Sequence, residues 1–205
     1  LLFMWSVHWF RRDLRIDGNP SLEFHINENQ GKTLGVFFFD PKFLSRKDFS
    51  NDRFCFFLET LKSLKEDLMN KGSNLLIMDR GPEEGFRELF RVSSQSQFGL
   101  PQFVTFNKDY EPFARTRDAH ITKTFSNIPF YTFRDHLIIE PQEIKEYKIY
   151  TPFSKAWFSL YQTKEIQSRV SRPLKTSRSF SLDSNLLKGF KSWEHILDKY
   201  LNDAH

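Results

Sequence analysis

Two kinds of apolar pattern alternate along the chain up to about residue 136. Short runs that are apolar throughout predict buried strands, and they cover residues 3–10, 33–39, 74–78, 102–106 and 129–133. Segments with apolar residues three or four positions apart predict amphipathic helices over residues 51–71, 82–92 and 111–125, after a first helix that begins at Pro20 behind an Asn19 cap. Strands of this kind, alternating with helices, predict an α/β fold in which a five-stranded parallel sheet is flanked by helices.

Ligands of open parallel sheets bind beyond the carboxyl ends of the strands. Here those ends are predicted at residues 9–15, 38–40, 79–81, 107–111 and 134–136. Candidate binding or catalytic residues are therefore expected in these five segments.

The pattern weakens after residue 136, where we predict a domain boundary. A short helix is predicted over residues 153–161. Residues 163–184 are rich in serine, lysine and arginine, which predicts a solvated linker that matters little to the α/β core. Residues 186–201 are amphipathic but too short to fold alone, so we expect them to pack on another surface, such as a following domain. The predicted units are residues 1–136, a linker over 137–185, and the start of a further domain over 186–205.

Composition narrows the class of protein. Of the 205 residues, 39% are hydrophobic, which suffices for a core, while no apolar run is long enough to cross a bilayer. The single cysteine, Cys55, excludes an intramolecular disulfide, fits a reducing cytosol, and is expected to be buried on its helix. From Lys148 to Lys191 nine basic residues stand against two acidic ones, which is typical either of a polyanion partner or of a solvated linker.

Three polar segments carry candidate chemistry, although glycine-rich phosphate loops and metal-ligand spacings are absent from the sequence. The loop after the first strand, HWFRRDLR, is predicted either to bind a ligand through its arginines or to form a salt-bridged turn. Asp109 and Glu111 lie at the predicted ligand edge, where they either cap the next helix or accept hydrogen bonds from a ligand. The third segment, YTPFSKAW, begins at Tyr150 and combines aromatic and basic residues.

These three segments, together with the FDP that follows the second strand, resemble the photolyase/cryptochrome family. In chain order the four motifs are WFRRDLR, FDP, NKDYEPFARTRD after the fourth strand, and YTPFSKAW. The resemblance covers nearly all of residues 3–205. It implies a Rossmann-like α/β domain that can carry a light-harvesting antenna, followed by a linker and a helical domain that binds FAD. Residues 189–194 resemble the opening of that helical domain.

The resemblance also indicates which antenna to expect. The folate-antenna type has an Asn-Glu pair where this chain has Phe113 and Ala114, which makes methenyltetrahydrofolate the less favoured chromophore. The flavin or deazaflavin type is closer. The antenna-binding positions of that type fall on Phe37, Phe49, Arg53, Asp109 and Glu111. The alternative is an empty site in which these residues only pack and cap.

The resemblance implies the antenna-domain fragment of a deoxyribodipyrimidine photolyase. The full-length enzyme would use light and the FAD of its helical domain to split pyrimidine dimers in DNA, in the cytoplasm or at the nucleoid. No catalytic residue and no metal ligand is then expected in this chain. Its expected partners are its own helical domain and, through that domain, DNA. Two alternatives stay open: a cryptochrome-type photoreceptor, and a stand-alone Rossmann-like nucleotide-binding module.

Overall fold

The computed structural model describes residues 4–40, 44–45, 47, 49–169 and 179–203. It contains five strands and seven α-helices within these residues. The strands are β1 Ser6–Trp9, β2 Thr33–Phe38, β3 Leu75–Met78, β4 Val104–Asn107 and β5 Phe130–Phe133. The helices are α1 Pro20–Asn29, α2 Asn51–Asn70, α3 Pro82–Ser94, α4 Pro112–Thr124, α5 Tyr150–Tyr161, α6 Lys164–Arg169 and α7 Trp193–Asp203.

All five strands are parallel and stand in the order β3-β2-β1-β4-β5. This arrangement confirms the predicted α/β fold. The strand order reverses direction between β1 and β4, and loops at such a switch point diverge and leave a crevice at the carboxyl edge. The β1–α1 loop and the end of β4 therefore meet at this edge.

One face of the sheet is apolar and is covered by α3 and α4. Successive strand residues point to opposite faces, and alternate positions such as Val7, Trp9, Val104 and Phe106 join this core. Gly85 lets α3 approach closely, because a Cβ at this position would collide with the ring of Phe38.

The other face is apolar beneath α2 and polar beneath α1. Phe37 and Phe39 of the β2 segment join a core with the apolar side of α2. On the central strands the same face carries Ser6, His8 and Thr105, which are buried under α1. Sequence reasoning did not detect this polar layer, because the strands are buried throughout and polar residues within them give no periodic signal.

The prediction of a solvated linker is wrong where the chain returns to the sheet domain. Phe180 is only 4% exposed, and its backbone N–H donates to the carbonyl of Lys71 at 2.6 Å. The amide of Leu182 donates to the carbonyl of Gly72 at 2.9 Å. Gly72 has φ of 84° and lies against the Phe180 backbone, so this contact needs a residue without a side chain. Within the predicted linker, α6 is helical and residues 170–178 lie outside the described residues.

The last helix also packs on the α/β core. Trp193, Ile196 and Tyr200 of α7 are buried among the α2 residues, and the ring centroid of Tyr200 lies 4.5 Å from that of Phe39. The Tyr200 hydroxyl donates to Asp79 at the end of β3. The expectation that this segment packs on another surface is confirmed, and for this face that surface is the α/β core, not a following domain. The domain boundaries themselves stay a prediction.

Cys55 is half-buried, not buried as predicted, because it lies at the edge of the apolar side of α2. Across the described part of the chain, no helix combines the length and apolar content that a membrane span requires.

We predict that Phe180→Ala lowers the free energy of unfolding by about 3–5 kcal/mol, because it leaves a cavity against α2 and removes the anchor of the returning chain. Urea denaturation measures the change. The matched control is Phe158→Ala, since Phe158 is an exposed ring on α5 and should change stability by less than about 0.5 kcal/mol. Equal losses in the two variants would contradict this packing.

Candidate functional site

A buried carboxylate organises the loop after β1. Asp13 Oδ2 accepts hydrogen bonds from Asn107 Nδ2 at 2.7 Å and from Asn19 Nδ2 at 3.2 Å, and lies 3.1 Å from His8 Nε2. Its Oδ1 accepts from the backbone N–H of Arg11 at 2.9 Å. Burial alone would raise the pKa of Asp13, but the hydrogen bonds from His8 and the other donors outweigh it and hold the pKa well below its ordinary value. Asp13 is therefore a fixed anion that ties β1, α1 and β4 together.

The polar layer beneath α1 continues this network. His8 Nδ1 lies 2.8 Å from Ser21 Oγ, and His25 bridges Ser6 Oγ and Thr105 Oγ1 at 2.6 Å each. Burial, and to a lesser extent the nearby His8, lower the pKa of His25 well below 6.5. His25 is therefore a neutral hydrogen-bonding group in the folded protein.

Two arginines lie against the face of a buried tryptophan. The guanidinium carbons of Arg11 and Arg117 are 5.0 Å and 5.1 Å from the ring centroid of Trp9, within cation–π range. Both arginines pair with Asp118, at 2.6 Å from Arg11 and 2.9 Å from Arg117. Burial lowers the pKa of Arg11, and the ion pair with Asp118 opposes that change. These contacts join the end of β1 to the middle of α4.

A cavity of about 330 Å³ opens at the carboxyl ends of β1 and β2. Rings of Trp9, Phe37 and Phe57 form part of its wall, and those of Phe37 and Phe57 have centroids 5.4 Å apart. Arg12 and Asp40 supply polar groups at the same cavity. Apolar walls with a few polar groups, and a volume at the lower end of the range for small-molecule sites, suit a flat aromatic ligand.

A larger groove of about 590 Å³ runs between the β1–α1 loop and α2. It is an open surface groove, and its lining includes Asp17, Glu59, Asp67 and Lys71. Phe56 is its one aromatic side chain among the described residues. We therefore take the aromatic cavity, rather than this groove, as the candidate site.

Arg12 connects the aromatic cavity to two of the predicted site residues. Its guanidinium lies 2.8 Å from Glu111 Oε2 and 3.5 Å from Asp109 Oδ2. The side chain of Asp109 is only 10% exposed, whereas that of Arg12 is 67% exposed. Glu111 precedes α4 but its side chain makes no capping hydrogen bond. Asp109 and Glu111 thus pair with Arg12, but of the predicted residues only Phe37 lines the aromatic cavity itself.

The other two predicted residues lie elsewhere. Phe49 packs against Phe54 with ring centroids 5.4 Å apart, and Arg53 is exposed in the first turn of α2. Neither is among the residues that line the aromatic cavity. Phe57, one turn after Arg53, does line the aromatic cavity. It was not predicted as a site residue, although it belongs to the apolar pattern of α2. The binding roles of the five predicted residues stay predictions.

A second polar cluster fixes the chain after β5. The carboxylate of Glu140 accepts hydrogen bonds from Tyr110 at 2.6 Å and from Lys108 Nζ at 2.9 Å. Burial and the bond to Glu140 raise the pKa of Tyr110, so its hydroxyl keeps its proton and donates. Arg134 and Arg169 both pair with Glu143, which ties α6 to the end of β5.

Comparison with known proteins identifies the family. Residues 6–173 match the family model for DNA photolyase. The chain belongs to the DNA photolyase family. It is 31% identical over 159 residues to the deoxyribodipyrimidine photo-lyase of Alkalihalophilus pseudofirmus, covering 73% of this chain and 32% of that protein. It is 32% identical over 121 residues to cryptochrome-2 of Gallus gallus, covering 59% of this chain and 20% of that protein.

The fold of the photolyase family extends over nearly the whole chain. The crystal structure of an archaeal photolyase from Sulfolobus tokodaii, which contains two FAD molecules, superposes with a TM-score of 0.69 at 24% identity. The superposition covers 95% of this chain and 41% of that one. The chain spans about half or less of the length of the curated relatives that it matches.

The neutral His25 predicts that stability falls in mild acid. The unfolded chain binds a proton at this residue near pH 6.5, whereas the folded protein does not. The resulting stability is therefore present above the unfolded pKa and is lost as the pH falls below it, by about 1 kcal/mol between pH 6.5 and 5.5. Asp13 does not interfere, because its lowered pKa acts only below its ordinary value of 3.8. Urea midpoints across this pH range measure the effect.

His25→Gln should flatten this pH dependence, whatever its effect on absolute stability. His120→Gln is the matched control, because His120 is exposed and pairs with Glu83 at the surface, so most of the loss between pH 6.5 and 5.5 should remain. A wild-type protein whose midpoint does not fall in this range would contradict the neutral, buried state of His25.

Proposed function

We propose that this chain is the antenna domain of a DNA photolyase and binds a flavin or deazaflavin in the aromatic cavity. The observation that carries the proposal is the cavity of about 330 Å³ lined by Trp9, Phe37 and Phe57, with Arg12 also in its lining. A tricyclic chromophore needs flat apolar walls and a few polar anchors, and this site offers both. The Sulfolobus tokodaii photolyase supports the proposal, since its two FAD molecules are described as implying a novel light-harvesting cofactor.

In the whole protein we infer that the reaction is the light-driven splitting of pyrimidine dimers in DNA. FAD in the helical domain supplies the electron for that reaction, and the antenna supplies excitation energy. The residues of this chain therefore bind and orient a chromophore and exclude water from it. They touch neither the DNA lesion nor the FAD that reduces it.

Each polar residue has a proposed part in binding. Arg12 presents a guanidinium to an electronegative ligand atom, and Asp109 and Glu111 hold that guanidinium in place. Either carboxylate also serves as an acceptor for a ring N–H or hydroxyl of the ligand. Arg53 faces an oxygen or phosphate of a ligand that extends along α2, and Phe49 adds apolar contact there.

The exposed face of α5 supports the helical domain as the partner. Helix α5 contains no buried residue, although it is rich in aromatic side chains. Ile149, Tyr150 and Phe158 are 67%, 77% and 57% exposed, and they lie on or beside this helix. Large apolar side chains that cluster at a surface are typical of an interface. We propose that the helical domain covers them.

Titration with FMN, a deazaflavin and methenyltetrahydrofolate tests the antenna. We expect a tricycle to bind best, and Asp109→Ala to weaken its binding by roughly ten- to a hundredfold, because a charge-assisted contact worth about 1.5–3 kcal/mol is lost. Asp67→Ala, which removes an exposed carboxylate of α2, is the matched control and should leave the affinity unchanged. A preference for folate that ignores Asp109, or a loss of stability without any ligand effect, would refute this site.

A DNA-repair assay on the full-length protein distinguishes a photolyase from a cryptochrome. Residues 1–205 with added FAD should not reverse dimers under light, whereas the protein with its helical domain should. Cryptochromes occur among the relatives, so a full-length protein that absorbs light but leaves UV-irradiated DNA unrepaired would assign the chain to that branch. Repair by residues 1–205 alone would contradict the proposal that the reaction requires the helical domain.

A further inference from the structure

Trp9 lies where it would touch any chromophore that fills the aromatic cavity. It is buried at the end of β1, and its indole is held against Phe38, Phe86 and Phe106 at centroid distances of 6.1, 5.2 and 5.4 Å. The same residue lines the cavity beside Phe37. An indole in this place is fixed in orientation and in contact range of the ligand.

Such a contact is harmful to an antenna. An excited oxidised flavin accepts an electron from a neighbouring indole, so that the flavin gains one electron and the indole becomes a radical cation. The electron then returns to the indole, both groups are restored, and the excitation energy is lost as heat. No other reactant is consumed, but the energy no longer reaches a second cofactor.

Two guanidinium groups oppose this electron transfer. Arg11 and Arg117 lie at 5.0 and 5.1 Å from the Trp9 ring centroid, and they share one carboxylate, that of Asp118. Asp118 pairs with both guanidinium groups, and the buried Asp13 also acts on Arg11, but it is the two cations that lie against the face of the indole ring. Arginine stays protonated in proteins, so their charge is permanent. A positive charge next to a site where another would form makes that second charge costly, most of all in a buried environment.

We infer that Arg11 and Arg117 protect the excited state of a chromophore in the aromatic cavity by making Trp9 hard to oxidise. The inference rests on the proposed antenna function and concerns regulation of that same site. It assigns the arginine pair a function beyond its ion pairs with Asp118 and beyond its place in the lining of the cavity.

The test measures the fluorescence lifetime of FMN bound to the chain. Arg117→Met, which keeps much of the side-chain length but removes the charge, should shorten the lifetime by roughly three- to tenfold, since loss of a charge at this distance favours oxidation of the indole. Arg117→Lys should restore it. Adding Trp9→Phe to Arg117→Met should also restore it, because the electron donor is then gone. Arg115→Met, on the exposed side of the same helix, is the matched control and should match wild type.

The outcomes separate the two proposals. FMN that binds with the same lifetime in wild type and Arg117→Met would overturn the protective role alone, as would a shortened lifetime that persists without Trp9. Failure of FMN and a deazaflavin to bind the wild-type chain would overturn the antenna function and this inference with it.

Discussion

The buried carboxylate of Asp13 is the constraint on which the carboxyl edge depends. A charge in a protein interior is tolerated only with a full set of partners, and Asp13 draws these from β1, α1 and β4. Its bond to the amide of Arg11 also fixes the course of the loop. The side chains of the two consecutive arginines therefore point in different directions. Arg11 points inward and pairs with Asp118, and Arg12 points outward and pairs with Asp109 and Glu111. Replacing Asp13 would leave several buried donors unpaired at once.

The candidate site follows from this loop geometry and from the strand that neighbours β1 on the other side from β4. The cavity lies at the carboxyl ends of β1 and β2, and the arginines of the β1–α1 loop border it. The aromatic wall comes from β2 and α2, which are separate from the polar network. The hydrogen-bonded network around Asp13 and the aromatic wall of the cavity thus come from different parts of the chain.

The segment after α6 packs against the α/β core and is hydrogen-bonded to it. Phe180 closes the turn at Gly72, and Tyr200 covers Phe39 beneath α7. Phe39, which follows β2, therefore packs under α7 at the wall of the cavity. In contrast, α5 leaves its apolar side chains exposed. Two parts of the C-terminal region therefore differ: the segment from Phe180 to α7 completes this core, whereas α5 has no buried residue.

The sequence by itself determined the five strands, the helices between them, the Asn19 cap and the edge at which to look for a ligand. These features depend on periodicity and on local hydrogen bonds, both of which act over a few residues. It also placed Phe37 and the Asp109–Glu111 pair at that edge, through motifs of the family. Only the tertiary structure decided which arginine holds the two carboxylates, which rings wall the cavity, and where Phe180 and α7 pack. Those contacts join residues far apart in the chain, such as Arg11 and Asp118, which are 107 positions apart. Their pairing depends on how strands and helices are placed in space, and no local pattern encodes it.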